Sequence, residues 1–116
     1  MVSDLWTDNV VQNSYLEVTL FWVSESGDDK TDWKLSHGMF MCKKFAESKT
    51  ADNIQHAIDM CLVDAGLTPG DVAATTDKGA NIVAATAQKL RIDCVCHRLH
   101  TAIELAWSQR GIAKRQ

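Results

Sequence analysis

The hydrophobic period of the chain changes once, near residue 50, and that change limits the folds open to it. Before it, apolar residues alternate; after it, they recur at every third and fourth position. Within residues 14–23, Leu16, Val18, Leu20 and Trp22 share one face while Tyr15, Glu17, Thr19 and Phe21 share the other. This pattern predicts a strand buried on one side and partly covered on the second. Eight polar residues, 24–31, lead into a second alternating run in which Trp33, Leu35, His37, Met39 and Met41 line one side. A long antiparallel hairpin follows. Val2 to Thr7 is also strand-like and reads as a strand whose beginning has been trimmed.

From Thr50 the spacing is helical. Ile54, Ala57, Ile58, Cys61, Leu62 and Ala65 form one stripe, with Thr50 as N-cap and Gly66 as the residue after the C-cap, so a helix is expected over about 51–65. Pro69-Gly70 turns the chain into a short buried strand over 71–77 that ends in Asp77. A helix over 80–90 follows, with Ile82, Val83 and Ala87 inward, then a strand over 91–95 and a helix over roughly 96–109. The four Trp residues are expected in the core or at its edge. The expected order is β-β-β-α-β-α-β-α. Right-handed crossovers then give an α/β fold with a mixed five-stranded sheet, order 3-2-1-4-5, and flanking helices. Asp4 and Asp77 fall on adjacent strands at a reversal of chain order, where open α/β sheets place ligands.

Composition sets the outer limits. At 116 residues and 46% hydrophobic, the chain affords one core, and the net charge of −3 argues against intrinsic disorder. The apolar run around Val18 to Val23 is too short to span a bilayer, so no membrane partner is expected. With no secretory signal, an intracellular setting is expected, and Cys42, Cys61, Cys94 and Cys96 read as thiols. Residues 1–36 hold seven acids against Lys30 and Lys34, which leaves eight acids against ten bases in the rest. That balance lowers the expectation of nucleic-acid binding without removing a local basic patch.

Asp4 and Asp77 could hold divalent cations, because Mg²⁺ and Mn²⁺ take hard oxygen ligands and keep positions open for phosphate and water. The plain alternatives are a surface acid for Asp4 and a helix-capping acid for Asp77. Asn81, in the first turn of the next helix, could cap it or hold a neighbouring carboxylate. Cys94, Cys96, His97 and His100 are four zinc-capable side chains within seven residues, but Cys96 and His97 are sequence neighbours and no second ligand pair at finger spacing exists. Nor does anything mark an oxyanion hole for a Cys-His nucleophile, and phosphate-binding glycine loops are missing from the sequence.

Four blocks, in order, resemble the catalytic core of hAT-type (hobo-Activator) transposases. They are Ser3-Asp4-Leu5-Trp6-Thr7 with Ser14 to Thr19, then Thr50-Ala51-Asp52-Asn53-Ile54, then Thr76 to Ala85, and finally the Cys-x-x-His of Cys94 to His97. The resemblance implies an RNase H-like core and cut-and-paste DNA transposition using Mg²⁺ or Mn²⁺ held by an Asp-Asp-Glu triad. Asp4 and Asp77 match the two aspartates, while Cys94 and His97 match a pair that shapes the site or contacts DNA. It also implies transposon-end DNA as the partner of the intact protein, self-association, and a nuclear location. In the family the Glu follows a large helical insertion, so residues 1–116 are expected to form a partial core without insertion, Glu or dimerisation segment. Glu104 is the one Glu beyond Asp77 and is weighed as a substitute ligand against a solvated helix acid. Lys78 and His100 stand where Asn is frequent. The expected function is a fragment or remnant of such a transposase, inactive alone; the alternative is a non-catalytic, transposase-derived domain that binds protein or DNA.

Overall fold

A computed structural model of the protein describes residues 1–26 and 32–109. Its elements are β1 (Val2–Thr7), β2 (Ser14–Ser26), β3 (Asp32–Lys44), α1 (Ala51–Asp64), a 3-10 turn at Pro69–Asp71, β4 (Ala74–Thr76), α2 (Ala80–Ala85), β5 (Arg91–Asp93) and α3 (Val95–Gln109). The five strands form one sheet in the order β3-β2-β1-β4-β5, as the periodicity and crossover argument predicts. β1, β2 and β3 pair antiparallel, while β4 lies parallel to β1, and β5 to β4. The fold is therefore α/β with a mixed sheet.

Local chemistry explains α1. The Thr50 hydroxyl accepts from the Asn53 backbone N–H at 3.3 Å and caps the first turn. At the other end Gly66 takes a φ of 79°, and its N–H and that of Leu67 donate to the Val63 and Leu62 carbonyls, closing a Schellman motif. Between the caps, Ile54, Ala57, Ile58, Cys61 and Leu62 are buried at helical spacing. They pack against Leu16, Val18 and Leu20 of β2, with Phe45, Ile82 and Ala85 completing the core. Each such aliphatic side chain contributes roughly 1.5–3 kcal/mol of burial.

Three expectations are corrected. First, the β2–β3 ladder slips between Val18 and Thr19, pairing Val18 with Met41 but Thr19 with Met39. The extra residue is Phe40, and this bulge puts Met39 and Met41 on opposite faces rather than one. Met41 packs on the core; Met39 is exposed. Second, α2 stops at Ala85 instead of continuing to residue 90, and Ala85, not Ala87, turns inward. The buried Thr86 hydroxyl donates back to the Ile82 carbonyl at 2.9 Å, and Lys89 turns away to an ion pair with Asp59, also 2.9 Å. Third, Trp6, Trp22, Trp33 and Trp107 are all exposed, Trp33 by 66%. β1 pairs with the Ser14–Thr19 part of β2, so among the described residues the hairpin beyond Leu20 is a two-stranded ribbon, and Trp22 and Trp33 lie on it uncovered.

Candidate functional site

Asp4 lies on β1, on the face of the sheet opposite α1 and α2, where it pairs across the ladder with Glu17. The parallel register sets Val2 beside Thr75, and Asp77, just past the end of β4 rather than on the strand expected over 71–77, is near enough for its charge to act on Asp4. Partial desolvation first, and then the charge of Asp77, push the Asp4 carboxyl above the ordinary carboxylate range; Glu17 adds a smaller push, against a backbone hydrogen bond from Leu5. Like charges held at one strand end are relieved by a proton or a cation.

Asp77 is held from two sides. Its Oδ1 accepts the Gly79 N–H at 2.9 Å, and a Cβ on Gly79 would stand 3.1 Å from that oxygen. Glycine is the residue that leaves this contact unstrained. From β5, Arg91 donates through one guanidinium nitrogen to both the Asp77 carbonyl and the Thr76 hydroxyl, each at 2.9 Å. Its other terminal nitrogen pairs with Asp93 at 2.9 Å.

The remaining candidates are dispersed. Asn81 does not reach a carboxylate; its amide donates to the Lys49 carbonyl at 2.6 Å, and the Lys49 ammonium donates to the Thr7 hydroxyl at 2.6 Å. Together these bonds tie the segment before α1 to the ends of β1 and α2. Cys94 and His97 are half-buried around the start of α3, and among the described residues no hydrogen bond links either to Asp4 or Asp77. Glu104 pairs with His100 at 3.3 Å on exposed helix surface. Besides Asp77, Glu17 stands near Asp4 across the β1–β2 ladder, and it accepts from the Thr19 hydroxyl at 3.0 Å. Sequence reasoning placed Glu17 on the correct face but missed its pairing, which needs the β1–β2 register. It missed Arg91 too, since nothing in the sequence announces a contact from β5 to the end of β4. Among the described residues no group of three or more His, Cys, Asp or Glu is arranged to hold a metal ion. An apolar cleft of about 360 Å³, lined by residues including Leu20, Trp22, Phe40 and Leu67, contains none of the candidates. No helix among the described residues is long and apolar enough to cross a membrane.

No family model matches the chain. A curated relative, the Transposable element Hobo transposase of Drosophila melanogaster, is 29% identical over 114 residues, which cover 97% of this chain. The chain spans 17% of that relative's length.

Proposed function

We propose that this chain is part of the catalytic core of a hAT-type DNA transposase with an RNase H-like fold. In this reading Asp4 and Asp77 hold a divalent cation, Mg²⁺ or Mn²⁺, and the intact protein acts in the nucleus on transposon-end DNA. The observation that carries it is the juxtaposition of Asp4 on β1 with Asp77 just past the end of the adjacent parallel strand β4, with Asp4 made a stronger proton acceptor partly by Asp77. Similarity to a transposase along nearly the whole chain supports the reaction class.

The residues present fit such an ion. Mg²⁺ is commonly held by one or two carboxylates, the rest of its octahedron being water and substrate phosphate. Asp77 offers Oδ2 freely while Oδ1 is steadied by Gly79, and Asp4 offers its carboxylate from β1. When bound, the ion would polarise a phosphodiester and its attacking water or 3′-hydroxyl. Asp4 and Asp77 would orient that ion.

Titration of the chain with Mg²⁺ and Mn²⁺, followed by NMR, tests the reading. Shifts and paramagnetic broadening confined to Asp4, Asp77 and their neighbours are expected, and Asp77→Asn should abolish them. Uniform or absent effects would favour the second reading, a non-catalytic domain that binds protein or DNA. That reading draws on the absence, among the described residues, of a third suitably placed ligand.

A further inference from the structure

We infer that Arg91 is a positioning residue for Asp77, fixing from β5 the strand end on which the proposed metal site depends. The inference rests on the cation-binding reading of Asp4 and Asp77 but adds a residue which that reading does not need. Arg91 pairs in register with Ala74, and its side chain runs forward along β4, past Thr75, to Thr76 and Asp77. One nitrogen spans the Thr76 hydroxyl and the Asp77 carbonyl, both at 2.9 Å. The Thr76 hydroxyl in turn donates to the same Asp77 carbonyl at 2.9 Å, so the carbonyl has two donors. β4 is three residues long, and Asp77 is the first residue outside its ladder. Without Arg91 the ladder hydrogen bonds give no hold on that position.

Holding Arg91 in place also has a cost. Its Nε is buried without a partner among the described residues, and an unsatisfied donor on a charged group costs stability rather than adding it. Asp93 offsets the charge through the other terminal nitrogen, which leaves the fork geometry intact. Lysine cannot reproduce this. Its ammonium carries the charge but not the planar fork that reaches Asp93 and the Thr76–Asp77 segment together.

The test measures Mn²⁺ affinity by calorimetry and the Gly79 amide signal by NMR, in the full chain, for wild type, Arg91→Lys and Thr76→Val. Arg91→Lys, which frees the Asp77 main chain rather than its carboxylate, should weaken Mn²⁺ binding about tenfold, the low end of the effect of losing an outer partner of a ligating residue. The Gly79 amide proton should shift as its bond to Asp77 Oδ1 loosens, without metal present. Thr76→Val removes one acceptor while leaving Arg91, and should act in the same direction with a smaller effect. Wild-type affinity in Arg91→Lys, or an unmoved Gly79 amide in both variants, overturns the inference. If wild type itself binds no Mn²⁺ at Asp4 and Asp77, the cation reading falls, and the metal-free Gly79 signal still decides whether Arg91 positions Asp77.

Discussion

At Asp77 a single hydrogen bond and a single missing methyl group decide how the carboxylate is presented. Gly79→Ala would bring a Cβ to 3.1 Å from Oδ1, so the carboxylate must rotate or shift by a few tenths of an ångström. Gly79 has a φ of −55°, which alanine adopts freely. Mn²⁺ affinity measured by calorimetry should therefore fall severalfold while the urea midpoint stays nearly unchanged. Asp4 makes the complementary case. Its carboxyl binds protons more readily in the folded than in the unfolded chain, so ionising it opposes folding and stability falls as pH rises through the carboxylate range. Asp4→Asn should stabilise the protein at neutral pH and lose that advantage in acid, where Asp4 is already protonated. The gain, read from thermal melts across pH, should be about 0.5 kcal/mol or less, because solvent screens so exposed a pair. The sequence names both aspartates. Arg91 and Glu17 are legible only through register, since each reaches its aspartate from a strand distant in sequence or paired across the sheet.

The elements differ in how far their own residues specify them. α1 is readable in full because its cap, its apolar stripe and its terminal glycine are local signals that agree. Ile58, fully buried in that stripe, is the point at which to test it: Ile58→Ala should cost about 3 kcal/mol in urea unfolding. Leu99 on α3 is also apolar and helically spaced, yet it is 59% exposed, so Leu99→Ala should change stability by less than about 0.5 kcal/mol. Amphipathic spacing predicts both helices and does not say which one finds a partner. The bulge at Phe40 escapes the sequence for a similar reason. Alternation continues smoothly through Met39 and Met41, and only the packing of Met41 on α1's side reveals the inserted residue. α2 ends early because the Thr86 hydroxyl turns back onto the Ile82 carbonyl and Lys89 finds Asp59, a long-range partner that a local reading cannot supply.

For the molecule as a whole, β2 and α1 supply most of the core, with Ile82 and Ala85 of α2 closing it from the side. No α3 residue among those described is buried. A chain ending at Cys94 should therefore keep its unfolding free energy, read from urea titration, within about 1 kcal/mol of the full protein, a comparison that separates the packed unit from its last helix. The ribbon at the other end has a different consequence. From Phe21 to Glu25, β2 is bonded only to β3 and its side chains are exposed, so nothing in the core is disturbed if those two strands part. Such a segment opens by itself while the rest stays closed. Native-state hydrogen exchange should then split one long strand in two: the amides of Trp22 and Val23 exchanging by a local route insensitive to denaturant, and those of Leu16 and Val18 waiting for the whole molecule to unfold.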